Sequence, residues 1–210
     1  MSIARLVAAA LLFACSSATE TTPPPPADCR TPGACNLVAC SVPQKQGTHV
    51  EVCSFIPFDS NPPTSGPHYG QWASFKSYDK PVPRGFYLHS IEHGGILLAY
   101  NCQLYQQGDC AALVAQLTTF VASRGDDPKC AGHAARNRFV VTPDPLLDAP
   151  FAAAAWGHHL KGDCFDAAVV AAFTDAHYAR SYEDLCNDGV DPTDPASGFP
   201  ADCGAASPAP

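Results

Sequence analysis

Long apolar runs are scarce in this chain. Leu6 to Phe13 spans eight residues, whereas a membrane-crossing helix needs roughly 20. No other segment is long and apolar enough to span a bilayer, so a threaded membrane protein is not expected. Basic side chains are also few: 12 Lys and Arg stand against 20 Asp and Glu, for a net charge of −8. Such a surface has no attraction for a phosphate backbone, and nucleic acid is not expected as a partner. Met1 is the single methionine, so no thioether is available to hold a soft metal. Paired CxxC motifs, a glycine-rich phosphate loop, a dinucleotide fingerprint and a nucleophile elbow are all missing. Zinc ribbons, nucleotide enzymes and α/β-hydrolases lose their usual signatures with them.

Cysteine, by contrast, is plentiful. Arg5 and the apolar run to Phe13 have the form of a signal peptide, residues 1–14, ending at Ala14-Cys15-Ser16. A small residue before cysteine at this point matches a bacterial lipoprotein processing site. Cys15 is therefore the expected lipidation site, although Phe13 departs from the usual box and leaves simple secretion as the alternative. Anchoring would make a membrane the chain's partner through lipid and place it in the bacterial cell envelope. Ser16 carries no aspartate-type retention signal, which favours the outer membrane. The 11 cysteines are an odd number, and assigning Cys15 to lipid resolves it. The ten left, Cys29, Cys35, Cys40, Cys53, Cys102, Cys110, Cys130, Cys164, Cys186 and Cys203, can close disulfides in an oxidising compartment. Cys102 and Cys110 bracket a short loop and are the expected local bridge; the remaining pairing cannot be read from sequence.

Residues 15–28 combine the lipid anchor with a tether containing Pro23 to Pro26, a composition suited to extended polyproline-type conformations. Residues 29–186 form the expected globular domain, and 187–210 a tail rich in Pro, Gly and Asp. Asn187, Asp188, Asp191 and Asp194 do not fit a calcium-loop pattern, and turn chemistry accounts for them.

Within the domain, Ile96 to Tyr100 reads as a buried strand. Asp109 can cap a helix running to about Arg124, with Leu113, Val114, Leu117, Phe120 and Val121 on one stripe. Phe139 to Thr142 and Phe151 to Leu160 read as two further strands. Asp166 to about Arg180 reads as a second helix, and the stretch before Ile96 as irregular, with a strand around His49 to Cys53. The expected fold is a single disulfide-rich α+β domain, a mixed sheet with two helices packed on it.

Chemistry concentrates in two segments, Asn61 to Tyr69 and His89-Ser90-Ile91-Glu92-His93-Gly94-Gly95. On a strand His89 and His93 would stand about 13 Å apart. A helical turn brings them to about 6 Å, within reach of one ion. The prolines before His68 would hold it in a fixed loop against them. His68, His89 and His93 are thus the candidate metal ligands, with Glu92 as second-sphere partner or catalytic general base. With no thiolate or thioether free, the set suits one divalent ion, zinc or copper(II), or non-haem iron. His49 could approach in space. His177 falls on an apolar helix face, His158 and His159 point to opposite sides of a strand, and His133 is expected to be exposed. His-x-x-Glu-His also matches an inverted zinc-peptidase motif, but that motif belongs in a long helix and two glycines follow it here.

Asn61 to Tyr69, Trp72, His89 to Gly95, Pro143-Asp144-Pro145 and Ala155-Trp156-Gly157 resemble the bacterial family called domain of unknown function 3105. The resemblance runs from about His49 to Arg180. It implies an exported or membrane-anchored protein and supplies no reaction. Three readings follow: a lipoprotein with a histidine-based metal site, a metal-dependent hydrolase with Glu92 as base, or a structural or partner-binding domain without metal. Anchoring is open to a direct test. Cys15→Ser should move the protein from the membrane fraction to the soluble fraction, and unchanged partitioning would exclude the lipid.

Overall fold

The computed structural model describes residues 28–31, 33–200 and 202–203. The expected signal peptide, Cys15 and the proline tether therefore lie outside the described residues. Eight strands and three helices follow in the order β1 (Asp28–Arg30), β2 (Val38–Ser41), β3 (His49–Val50), β4 (His68–Tyr69), α1 (Arg84–Glu92), β5 (Ile96–Tyr100), α2 (Cys110–Ser123), β6 (Phe139–Pro143), β7 (Phe151–Ala155), β8 (His158–Gly162) and α3 (Ala167–His177). Six strands form one mixed sheet ordered β1-β2-β8-β7-β5-β6. Only β5 and β6 run parallel in it, joined by α2 as a parallel pair requires. The fold is α+β, as the sequence suggests.

The sheet is covered on both faces. Ile96, Leu98 and Tyr100 pack with Leu113, Leu117 and Phe120 of α2 and with Val170 and Phe173 of α3. Leu97 and Ala99 face the other way and pack with Phe86, Leu88 and Ile91 of α1. A strand buried on both sides loses alternation, which is why Ile96 to Tyr100 is an unbroken apolar run.

Three expectations need correction. The stretch before Ile96 is not merely irregular, since it contains the nine-residue helix α1, buried from Gly85 to Glu92. A helix enclosed all round has no polar face to mark its period. Phe151 to Leu160 is not one strand but the hairpin β7–β8, turning at Trp156-Gly157, where Gly157 takes φ +76°. Finally, α3 ends at His177 with Tyr178 already extended, short of Arg180. The other helix is as expected: Asp109 caps α2 through Ala111 N–H.

Five disulfides stitch the irregular segments to this frame: Cys29–Cys40, Cys35–Cys164, Cys53–Cys203, Cys102–Cys110 and Cys130–Cys186. The first joins register partners of β1 and β2, and the fourth is the expected local bridge. Such bridge density marks a chain that folds outside the cytoplasm. No helix among the described residues is long and apolar enough to cross a membrane. After Cys186 the chain continues on the domain surface: Val190 bridges Ala73, Phe199 packs on Phe86, and Cys203 is bonded to Cys53. Asp188, Asp191 and Asp194 accept backbone N–H groups of Ala134, Thr193 and Ala196, which is turn and loop pinning.

Close packing of α1 on β4 depends on Gly85. A Cβ there would stand 2.6 Å from the Tyr69 ring, which is 1% exposed and pinned by its hydroxyl to Ser54 O. Alanine in place of helical glycine gains up to about 1 kcal/mol, whereas overpacking a closed core costs about 1–3 kcal/mol. The clash should win. Gly85→Ala should lower unfolding free energy in urea by about 1–2 kcal/mol, and an unchanged or raised midpoint would show that Tyr69 can yield.

Candidate metal centre

Three short pieces of backbone build the centre. Pairing of β3 with β4 is parallel and only two residues long, with His49 opposite His68. The segment before β4 is fixed at both ends: Gly157 N–H donates to Thr64 O, and His68 N–H to Thr48 O. α1 supplies His89 and Glu92 one turn apart, then His93 at its C-cap. The strap from Arg180 to Cys186 supplies Tyr182 and Glu183, clamped by Cys130–Cys186 and by Leu185 N–H on His93 O.

His49, His68, His89 and Glu92 each offer a ligand atom, and these atoms all lie within 4.8 Å of one another. His68 is wholly buried, His89 and Glu92 nearly so, and His49 is the exposed member. Two of the rings have defined tautomers. His68 Nδ1 lies 2.9 Å from Gly66 O and His89 Nδ1 2.7 Å from Tyr69 O. A carbonyl only accepts, so both Nδ1 atoms carry a proton, and in the neutral ring it is Nε2 that presents the lone pair. Imidazoles held by backbone carbonyls in this way are the usual form of metal-ligating histidine.

His68 Nε2 then stands 2.8 Å from Glu92 Oε2, yet among the described residues it meets no hydrogen-bond partner. A neutral imidazole lone pair and a carboxylate oxygen repel at that distance unless a cation lies between them. His89 Nε2 is 3.8 Å from the same oxygen. The other carboxylate oxygen accepts the Tyr182 hydroxyl. Burial, assisted by His68, pushes the His89 pKa down to about 4. Burial and His89 push His93 down to about 3. Both rings are neutral at pH 7 and keep a lone pair to give.

Of the residues picked from sequence, His68, His89 and Glu92 come together. His93 does not join that set. It is grouped with His89 and Glu183, again within 4.8 Å, and lies against Trp72 at 4.6 Å between ring centres. The third imidazole beside His68 and His89 is His49, which the sequence reading allowed could approach but did not place among the ligands. Tyr182, Glu183 and Gly47 were also missed. A Cβ at Gly47 would run into the Glu92 carboxylate and the Tyr182 hydroxyl. The remaining histidines stay apart: His158 stacks on His177 at 4.0 Å, His159 is buried, and His133 is exposed.

Other sequence landmarks hold the centre in place. Asp144 accepts from Nε and Nη2 of Arg84 and from the Tyr87 hydroxyl, fixing the start of α1. Arg138, buried between Asp127 and Asp184, donates to His93 O and fixes its end. Trp156 meets His68 edge-on at 6.0 Å.

A family model described as "Protein of unknown function (DUF3105)" matches residues 49–189. The chain belongs to that family. No curated protein and no solved structure matches it. The DUF3105 span begins at His49 and includes every grouped ligand through Glu183. Cys29, Cys35, Cys40 and Cys203 fall outside it, so three of the five bridges reach beyond the DUF3105 core.

The contact at Gly47 predicts a coupling. Gly47→Ala alone should cost about 1–3 kcal/mol in urea unfolding, the range for overpacking. Adding Tyr182→Ala removes one of the two obstructing groups and should recover part of that loss. Strict additivity of the two substitutions would show that residue 47 does not press on Tyr182.

Proposed function

We propose that this DUF3105 protein is an exported, lipid-anchored envelope protein that holds a divalent cation, zinc or copper(II), with His49, His68, His89 and Glu92. Its anchor would be Cys15 and its partner a membrane, the outer one where the cell has two. The acidic surface supports the absence of nucleic-acid binding, and the five disulfides support a site outside the cytoplasm.

What supports the cation most is the approach of His68 Nε2 to Glu92 Oε2 in a buried setting. With the ring neutral and the carboxylate ionised both atoms are acceptors, and a metal satisfies both at once. Three imidazoles and one carboxylate match the nitrogen and oxygen preferences of zinc and copper(II). With all ten described cysteines bonded, no thiolate competes. The hydrolase reading, with Glu92 as general base, needs a carboxylate free to take a proton from water. Here one oxygen accepts from Tyr182 and the other faces His68, which favours Glu92 as a ligand.

Metal analysis of tag-free protein purified from its native compartment should find at least one equivalent of zinc or copper per chain. His68→Gln combined with Glu92→Gln should weaken binding of the first zinc equivalent at least 100-fold. Zinc held at about 100 times its Kd should stabilise the wild type by about 2.7 kcal/mol. Protein that neither retains metal nor shifts its unfolding midpoint with added zinc or copper(II) would leave the histidines as purely structural groups.

A further inference from the structure

His93 and Glu183 are not used by the site proposed above, yet they adjoin it. His93 is 3% exposed, and its Nε2 lies 3.2 Å from Glu183 Oε2. Its Nδ1 is buried and meets no hydrogen-bond partner among the described residues. With His89 the two residues form a second group whose ligand atoms all lie within 4.8 Å of one another. His89 is common to both groups. Its Nδ1 is committed to Tyr69 O, so it has one lone pair and can serve one ion at a time.

That restriction divides the six side chains cleanly. If His89 serves the outer position, the inner ion keeps His49, His68 and Glu92, and the outer ion gains His89, His93 and Glu183. Each ion then has two imidazoles and one carboxylate, and each +2 charge has its own glutamate. We infer that the centre binds two divalent cations, the second at His89, His93 and Glu183. This rests on the metal reading above and extends it.

Coordination changes with loading. A single ion in the inner position is enclosed by four protein ligands, the closed arrangement of a structural site. The second ion draws His89 away, leaving three protein ligands on each ion and a position open to water on both, the arrangement of a working site. The outer ligands are held firmly. Asp184, next to Glu183, is paired with buried Arg138, and Leu185 N–H is bonded to His93 O. Glu183 itself keeps 40% of its side chain exposed, which gives an entering hydrated cation a carboxylate to meet first.

Stoichiometry separates the possibilities. Apo protein, disulfides intact, is titrated with zinc against a chromophoric chelator. The wild type should take two equivalents, and both Glu183→Gln and His93→Gln should take one. Glu183→Gln changes a half-exposed group and guards against misfolding of the buried His93 variant. Loading with two equivalents of copper(II) should quench the isolated-ion paramagnetic signal, since paired ions in such centres sit about 3.5–4 Å apart. The signal should return in Glu183→Gln. Saturation of the wild type at one equivalent, or a second equivalent that survives both substitutions, overturns the two-ion centre and leaves the one-ion site standing. Failure to bind any zinc or copper(II) would remove both.

Discussion

The structure turns on the burial of one polar helix. From Gly85 to Glu92, α1 is enclosed by the sheet on one side and by loops and the C-terminal strap on the others. Yet it carries Ser90, His89 and Glu92 and ends at His93. Each polar atom taken out of water must find a partner or cost about 1–3 kcal/mol. Ser90 Oγ donates to Ala73 O, His89 Nδ1 to Tyr69 O, and the carbonyl of His93 receives Arg138. The surrounding loops are therefore placed to satisfy α1, and long stretches of otherwise irregular chain acquire one conformation. Beside α1, the buried ring atoms left without a partner among the described residues are His68 Nε2, on β4, and His93 Nδ1, at the helix C-cap.

This also explains what could be read from sequence. α2 and α3 each expose one face, so their apolar residues recur at helical spacing and Asp109 and Asp166 mark their starts. β5 and β6 are apolar runs of strand length. α1 has neither signal: Phe86 to Ile91 is buried on every side, and Pro81, Pro83, Gly85, Gly94 and Gly95 punctuate it like a loop. The β7–β8 hairpin escaped because Ala152 to Ala155 are small enough to suit helix as well as strand. Their size reflects the sheet's position between two packed layers, a property no single segment records. In the centre, the clustering of His68, His89 and Glu92 could be anticipated from ligand reach along a helical turn. His49 could be suspected but not placed, since its position depends on a two-residue parallel pairing, and Glu183 is one part-exposed acid among several until the Cys130–Cys186 bridge positions it.

Disulfides and the centre divide the task of stabilisation. The segment between β2 and α1 has only β3 and β4 as regular structure, and it is held to the frame by buried side chains such as Ile56, Tyr69, Phe75 and Tyr78. Cys53–Cys203 ties it to the far end of the chain, and Cys130–Cys186 ties the strap to the turn before β6. Constraining the unfolded chain in this way is worth typically 2–4 kcal/mol per bridge. It would also lower the entropic cost of holding a metal at the centre, because the loops bearing the grouped histidines and glutamates are ordered by the bridges.

Preorganisation limits what the centre can do in the absence of cation. His68 and Glu92 are held facing each other from different elements, one by Gly66 O and the β3 pairing, the other by α1 and Tyr182. Neither can swing away without opening the core. A proton on the ring would make an imidazolium inside a closed site, and the two atoms are not aligned for the N–H···O hydrogen bond that would compensate it. A metal ion meets lone pairs along their own axes and carries two charges against the glutamate's one. Geometry that is poor for a salt bridge is suitable for coordination, and this difference separates a ligand set from a buried ion pair.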